Sequence, residues 1–190
     1  MAHTLWRVFP WDPDAGPGEP FSPGFLPPPS GQGRFDLPEG YPSSVCYLAE
    51  TPDHAIAEKI QDLRNRALAD DYLFELGRRL AICPVELDEG HAVADLCSPG
   101  ELHRREIAPD RLASWDRAVT QSIAAALHDD ASLAGFRWWS AFSGDWHTFV
   151  LFRDRLGPDA LSFGEPTPLD ASVPTLRTAA HALGIEVREG

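Results

Sequence analysis

Short apolar runs bounded by turn residues predict several β-strands along the chain. In SVCYLAE, Val45 and Tyr47 share one face, and Cys46 and Leu48 share the other. LWRVFP near the N-terminus predicts another strand, and GFRWWSAF and WHTFVLF predict a pair joined by the turn SGD. RRLAICPVEL predicts a strand that is bent or lies at a sheet edge, because Pro84 interrupts it.

Apolar positions at helical spacing predict three longer helices. In TPDHAIAEKIQDLRNRAL, Thr51 is placed to cap a helix whose apolar seam runs from Ile56 to Ala67. VPTLRTAAHALG predicts a helix that ends at Gly184. PDRLASWDRAVTQSIAAALHDD predicts one continuous helix, and its buried seam consists of Leu112, Trp115, Val119, Ile123 and Leu127.

Helices and strands mix without a regular βαβ alternation, which predicts a mixed α+β fold. The length of 190 residues suits a single compact domain over residues 1–190. Residues 10–42 form an arm rich in proline and glycine with no helical or strand period, which is typical of a functional or a disordered segment. Residues 153–190 are predicted to form a C-terminal helix and tail.

The amino-acid composition indicates which classes of partner and which cellular compartment to expect. The net charge of −13 provides no basic stripe, so neither nucleic acid nor an anionic membrane surface is expected as a direct partner. Three cysteines without a C-x-x-C motif favour a reducing compartment. No apolar run has the length of a signal peptide or a membrane span, so we expect a cytoplasmic protein.

Common catalytic and binding motifs do not occur. The seven histidines form no H-E-x-x-H and no cluster with cysteine at ligand spacing, so no metal site is expected. The sequence contains neither a phosphate-binding P-loop nor a G-x-S-x-G nucleophile elbow. Gly31 and Gly33 have the G-x-G spacing of a dinucleotide fingerprint, but Asp36 occupies the position of its next glycine.

Two charged residues are candidates for chemistry, each with a simpler alternative. Arg34 follows Gly33 in the arm and is either a surface arginine or an anion clamp, whose ligand the flanking glycine would let approach the backbone. Glu58 lies about 200° around its helix from Ile56, so it is either a solvated carboxylate or a catalytic group. His54 shares its stripe and is placed to orient it.

Three residues on the predicted strands are further candidates. Tyr47 and Trp139 are either core residues or walls of a ligand cleft. Ser140 is either a small filler that bonds to backbone or a hydroxyl that faces a cleft. For each of these residues, its type and position alone do not distinguish the structural role from the functional one.

In their order along the chain, these segments resemble the RES-domain family, which is named for an arginine, a glutamate and a serine. LWRVFP resembles its first strand, and GQGRFD its glycine-rich arm, with Arg34 at the arginine. VCYLAETPDHAIAE matches a strand with tyrosine followed by A-x-A-E, which places Glu58 at the glutamate. TQ, residues 120–121, matches a helical motif, and GFRWWSAFSGDWHTFVLF places Ser140 at the serine. Phe35 and the segment 147–148 depart from the residues most frequent in the family.

The resemblance implies a bacterial toxin of a toxin–antitoxin pair, with a central split β-sheet flanked by helices, as in ADP-ribosyltransferases. It implies NAD⁺ as substrate, without a metal, and an antitoxin as protein partner. Arg34, Glu58 and Ser140 would then be catalytic, with Gly33, Tyr47, His54 and Trp139 as substrate-binding residues. The acceptor of the ADP-ribosyl group stays open among water, phosphate and a protein side chain. A protein ADP-ribosyltransferase and a non-catalytic nucleotide- or antitoxin-binding protein remain the alternatives.

Overall fold

The structure, a computed structural model, describes residues 3–27, 31–41, 43–140 and 142–188. The helices in this part of the chain are α1 (Pro52–Ile60), α2 (Pro99–Arg104), α3 (Pro109–Leu112), α4 (Arg117–His128) and α5 (Pro174–Ala182). The strands are β1 (His3–Pro10), β2 (Val45–Ala49), β3 (Ala67–Leu68), β4 (Phe74–Glu75), β5 (Arg78–Leu87), β6 (Val93–Asp95), β7 (Gly135–Trp139), β8 (His147–Phe152), β9 (Leu161–Phe163), β10 (Thr167–Pro168) and β11 (Glu186–Val187). Helices around a mixed sheet confirm the predicted α+β class.

The chain divides into two compact units. The first contains residues 27–47 and 88–161, and the second contains the other described residues. The proline- and glycine-rich arm begins in the second unit and ends in the first, and β2 continues back into the second. Residues 28–30 and 42 of the predicted arm lie outside the described residues.

In the first unit, the strand order is β2–β8–β7–β6. Strands β7 and β8 are antiparallel, with Arg137 opposite Phe149, and β6 is parallel to β7. Helix α4 is capped by Asp116, whose carboxylate accepts a hydrogen bond from the Ala118 N–H at 2.9 Å. The buried side chains of this unit form one apolar core, which includes residues of the arm, the helices and the sheet: Phe35, Leu37, Ala94, Leu96, Leu102, Leu112, Ile123, Ala124, Leu127, Leu133, Phe136, Trp138, Val150 and Phe152.

In the second unit, the strand order is β10–β5–β1–β2, and β4 and β9 also pair with β5. Strands β1 and β5 are antiparallel along the whole of β1, from His3 opposite Leu87 to Pro10 opposite Leu80. Helix α1 contacts α5 and β1. Its N-terminus has the predicted cap, because the Thr51 hydroxyl accepts a hydrogen bond from the backbone N–H of His54.

Strand β5 does not lie at a sheet edge, which was one of the two alternatives that Pro84 predicted, the other being a bent strand. Pro84 is opposite Trp6 of β1, and its carbonyl accepts a hydrogen bond from the Gly164 N–H at 2.9 Å. The N–H and C=O of one strand residue point to the same side, so the donor that proline lacks would also face residue 164. The ladder between β1 and β5 therefore continues past the proline.

Two predicted helices are shorter than their apolar patterns indicated. Helix α1 ends at Ile60, a 3₁₀ turn follows, and Asn65 has a φ of 65°, so Ala67 lies in β3 and not on a helix. The predicted helix from residue 109 to residue 130 is broken into α3 and α4. Trp115 lies in the break and is 82% exposed, so its assignment to the buried seam was wrong.

Candidate active site

The end of the arm is a turn organised by the carboxylate of Asp36, which is 5% exposed. One carboxylate oxygen accepts a hydrogen bond from the Gly33 N–H at 2.9 Å. The other accepts one from the Tyr47 hydroxyl at 3.0 Å, and that hydroxyl in turn accepts the Phe35 N–H at 3.0 Å. These bonds close the turn around Arg34 and attach it to strand β2 through Tyr47.

The space beside Gly33 is too small for any side chain. A Cβ at this position would lie 2.6 Å from the Tyr47 hydroxyl oxygen and 2.8 Å from the carboxylate carbon of Asp36. Both distances are far below van der Waals contact, and the atoms belong to groups that hydrogen bonds fix in place. The glycine therefore lets the Tyr47–Asp36 pair close against the backbone of the arm.

Tyr47 combines a fixed hydroxyl with an exposed ring. The residue is 38% exposed, whereas its hydroxyl is enclosed by Phe35 and Asp36. Burial of the hydroxyl raises the pKa of Tyr47 far above its usual value, and the negative charge of Asp36 raises it further. The phenol therefore stays protonated and keeps donating to Asp36, while part of the ring remains accessible to a ligand.

Thr120 and Gln121 of α4 hold the arm from the other side. The Thr120 hydroxyl donates a hydrogen bond to the Arg34 carbonyl. The Gln121 side-chain amide donates to the carbonyls of Gly31 and Gly33 at 3.2 and 3.1 Å. Thr120 is completely buried. The two residues thus give the TQ motif a structural function, which is to fix the backbone that carries Arg34.

The guanidinium group of Arg34 is directed at the break between α3 and α4. Its Nη2 donates to the carbonyls of Leu112 and Ser114, each at 3.0 Å. Its central carbon lies 4.7 Å from the centroid of the Trp138 ring and 5.7 Å from that of Trp115. These contacts fix the position of the positive charge, and part of the hydrogen-bonding capacity of Arg34 is used within the protein.

Ser140 and Trp139 lie at the end of β7. Ser140 is 3% exposed. Its N–H donates to the Trp146 carbonyl at 2.6 Å, and its hydroxyl oxygen accepts the Phe142 N–H at 3.2 Å. Trp139 is half-buried and packs against the core of the first unit. The hydroxyl of Ser140 is therefore held in a tight turn rather than on an extended strand.

In the second unit, Glu58 is held by two neighbours on its own helical segment. The Nε2 of His54 lies 3.0 Å from one carboxylate oxygen of Glu58, and Gln61 donates to the other at 3.3 Å. Gln61 also donates to the Glu58 carbonyl at 2.7 Å. His54 is fully buried, whereas the Glu58 side chain is 39% exposed. Because a carboxylate only accepts hydrogen bonds, Nε2 of His54 carries the proton.

The structure thus groups the predicted residues by unit. Gly33, Arg34 and Tyr47 form one connected turn, and Trp138, which contacts Arg34, leads directly into Trp139 and Ser140. His54 and Glu58 form a pair in the second unit. Sequence reasoning missed the supporting roles of Asp36 and Gln61. The acidic residue that ends the segment GQGRFD could have indicated the first, whereas Gln61 follows no recognisable motif.

The described residues lack two features, a metal-binding cluster and a membrane-spanning helix. They contain no group of three or more histidine, cysteine, aspartate or glutamate side chains placed to hold a metal ion. None of their helices has the length and the apolar character needed to cross a bilayer.

Comparison with known proteins agrees with the pattern of residues. A family model described as the RES domain matches residues 4–175. The chain belongs to the RES-domain family. The match includes parts of both units, and its range contains Arg34, Glu58 and Ser140.

A solved structure shares the fold of this RES-domain protein. It is the crystal structure of the M. tuberculosis MbcT–MbcA toxin–antitoxin complex, with a TM-score of 0.64 and 18% sequence identity. The alignment covers 97% of this chain and 90% of the other. No curated protein matches the sequence significantly. At this identity, the similarity establishes the fold alone.

Proposed function

We propose that this RES-domain protein is a toxin that consumes NAD⁺ by breaking the bond between nicotinamide and ribose. Membership of the RES-domain family, with its arginine, glutamate and serine positions occupied, supports this function. The observation that supports this function most strongly is that Glu58 is held by hydrogen bonds and remains exposed. Its carboxylate is hydrogen-bonded at both oxygens, and the side chain is still 39% exposed to a substrate.

The reaction breaks the N-glycosidic bond of NAD⁺. The bonding electron pair moves to the positively charged pyridinium nitrogen, so nicotinamide leaves as a neutral molecule. Positive charge develops on the ribose, which becomes oxocarbenium-like in the transition state. An acceptor then forms a bond to the same ribose carbon and releases a proton. Water as acceptor gives ADP-ribose, and phosphate gives the corresponding ribosyl phosphate.

Glu58 would stabilise the developing positive charge or fix the ribose hydroxyls. A negative group contributes most to catalysis when it is already oriented before the charge forms, because no reorganisation is then needed during the reaction. The hydrogen bonds from His54 and Gln61 provide this orientation. His54 is therefore proposed to orient Glu58, rather than to act as an independent base.

The other predicted site residues have proposed roles in substrate binding. Arg34 would attract the pyrophosphate through its positive charge, although its Nη2 already bonds to protein carbonyls. The partly exposed ring of Tyr47 suits stacking on nicotinamide. Ser140 would hydrogen-bond the ribose next to nicotinamide, and Trp139 would form part of the wall. Gly33 would act indirectly, by letting Tyr47 and Asp36 close on the arm.

A cognate antitoxin is proposed as the protein partner. The similar M. tuberculosis protein is described in a toxin–antitoxin complex. The net charge of −13 would favour a partner with basic segments. Expression of this protein alone should slow bacterial growth, and co-expression with the product of the adjacent gene should restore it. Full growth at high soluble expression would favour the non-catalytic alternative.

The decisive experiment measures nicotinamide release and NAD⁺ binding on the same proteins. We expect Glu58→Gln to keep NAD⁺ affinity within about threefold and to lower turnover by roughly 10²-fold, because the lost charge acts mainly in the transition state. Glu75→Gln is the matched control, since the Glu75 side chain is 41% exposed and pairs with Lys59 in the same unit. Equal turnover in the two variants would leave Glu58 as an ordinary helix carboxylate.

The products distinguish the possible acceptors. Release of nicotinamide that is independent of phosphate, with free ADP-ribose as product, identifies water. Dependence on phosphate with a ribosyl phosphate product identifies a phosphorylase. A mass increase on a cellular protein identifies protein ADP-ribosylation. Absence of all three products, with NAD⁺ bound or not, would contradict the proposed enzyme.

A further inference from the structure

Trp115 is the most exposed of the large apolar side chains in the described part of the chain. It is 82% exposed, although an indole ring is among the most favourable groups to bury. It lies in the break between α3 and α4, where its sequence pattern had predicted a buried position. A single exposed apolar residue needs no explanation by itself, so its surroundings decide whether the exposure is informative.

The backbone that carries Trp115 is anchored on both sides. On the N-terminal side, Arg34 bonds to the carbonyls of Ser114, which precedes the tryptophan directly, and of Leu112 at the end of α3. The Ser114 hydroxyl accepts the Asp116 N–H at 3.1 Å, and Asp116 caps α4. The indole is therefore presented to solvent from a fixed segment. The guanidinium of Arg34 lies 5.7 Å from the centre of its ring.

The first unit exposes two large aromatic rings among its described residues, Tyr47 and Trp115. Both are connected to the same turn of the arm. Tyr47 bonds to the N–H of Phe35, and Trp115 contacts the guanidinium of Arg34, the preceding residue. Two accessible rings, each in contact with the turn that carries one fixed positive charge, suit a ligand in which two flat rings are joined by an anionic linker.

We propose that Trp115 stacks on the adenine ring of NAD⁺ and thereby sets the preference for a dinucleotide. The inference rests on the proposed function, which assigns the pyrophosphate to Arg34 and nicotinamide to Tyr47. Adenine is the second ring of the same molecule, and it lies on the far side of the pyrophosphate from nicotinamide. Stacking would bury the face of the indole that is exposed in the free protein. Such stacking depends little on the substituents of the base, because every base has a π-face.

The test compares two substrates that share the reacting bond. NAD⁺ contains adenine, whereas nicotinamide mononucleotide lacks the whole adenylate half. We expect Trp115→Ala to raise KM for NAD⁺ by roughly tenfold or more, the range for loss of one base–aromatic stack. KM for nicotinamide mononucleotide and kcat for both substrates should stay within about twofold. Trp115→Phe should restore most of the affinity for NAD⁺.

Calorimetric binding of ADP-ribose separates this inference from the proposed reaction. ADP-ribose keeps adenine and pyrophosphate but has no bond to break, so its affinity should fall with Trp115→Ala even in a protein without turnover. Tyr72→Ala, which removes another exposed aromatic ring from the second unit, is the matched control and should leave the affinity unchanged. An unchanged affinity for ADP-ribose in Trp115→Ala, or equal losses for both substrates, would overturn the proposal.

Discussion

Replacement of Gly33 by alanine tests whether the turn that carries Arg34 is closed by the Tyr47–Asp36 hydrogen bond. The added methyl group would lie 2.6 Å from the Tyr47 hydroxyl oxygen and 2.8 Å from the Asp36 carboxylate carbon. One of these two groups must move, and the bond between them must lengthen or break. Overpacking costs about 1–3 kcal/mol, and a hydrogen bond to a charged group contributes about 1.5–3 kcal/mol. We therefore expect a loss of about 2–4 kcal/mol in the free energy of unfolding.

Urea unfolding followed by tryptophan fluorescence measures this loss, since Trp138 lies 4.8 Å from Phe35 in ring-centroid distance. Gly31→Ala is the matched control. Gly31 has a φ of 68°, but no atom of the described residues, apart from Gly31 and its two chain neighbours, lies within 4 Å of the place that an added methyl group would occupy. Only the backbone conformation is therefore penalised in this variant, by about 1 kcal/mol. The Tyr47→Phe background removes one of the close oxygens, the hydroxyl at 2.6 Å, and Gly33→Ala should cost at least about 1 kcal/mol less there.

Two outcomes would refute the steric argument. If Gly33→Ala were no more destabilising than Gly31→Ala, the close approach of Tyr47 and Asp36 would not be a constraint. If the effects of Gly33→Ala and Tyr47→Phe were additive, the Tyr47 hydroxyl would take no part in the clash. Retained stability together with lost NAD⁺ turnover would instead favour the sequence-based interpretation, in which Gly33 leaves room for a ligand.

Three further predictions follow from side-chain contacts within each unit. Arg34→Lys should lower turnover by at least about tenfold with unchanged circular dichroism, because an ammonium group cannot reproduce the guanidinium contacts; near-normal turnover would remove Arg34 from the site. Gln61→Ala should lower kcat by roughly tenfold and leave KM within about threefold, because only the orientation of Glu58 is lost; a change in KM alone would contradict this. Burial alone would raise the pKa of Asp154, but hydrogen bonds from Ser43 and His128 outweigh it and lower the pKa. Asp154→Asn should therefore cost about 1 kcal/mol at neutral pH, and the difference from the wild type should disappear as the pH falls below about 4 in urea unfolding.

The sequence predicted those helices and strands whose ends are determined by residues only a few positions away. The Thr51 cap, the paired strands β7 and β8 and the end of α5 at Gly184 were predicted from neighbouring residues alone, and the structure contains each of them. Their determinants act over a few positions, through a side-chain cap, a short turn or a glycine with φ of 68°. A single sequence contains all the information needed for such features.

The break between α3 and α4 could not be predicted in this way. In a continuous helix, the carbonyls of Leu112 and Ser114 would accept hydrogen bonds from N–H groups four residues ahead. Here Arg34 binds both carbonyls from 78 and 80 residues away, and Asp116 starts a new helix. The apolar spacing of Trp115 fitted the longer helix equally well. The early end of α1 has a similar origin, because Ala67 pairs with Glu186 of β11.

The candidate site was predictable only through the order of its motifs, and the structure gives a physical reason for that order. Gly33, Tyr47 and Gln121 are individually unremarkable residue types, but each contacts the backbone or the side chains of the same turn. Replacing one of them would displace the others, since the turn is held by these side-chain contacts rather than by a sheet or helix ladder. Each residue type alone is therefore expected to be a weak indicator of the site, whereas their combination in this order is a specific one. It follows that Arg34 variants test both substrate binding and support of the 112–115 segment, and that Trp115→Ala, which leaves the guanidinium in place, separates the two.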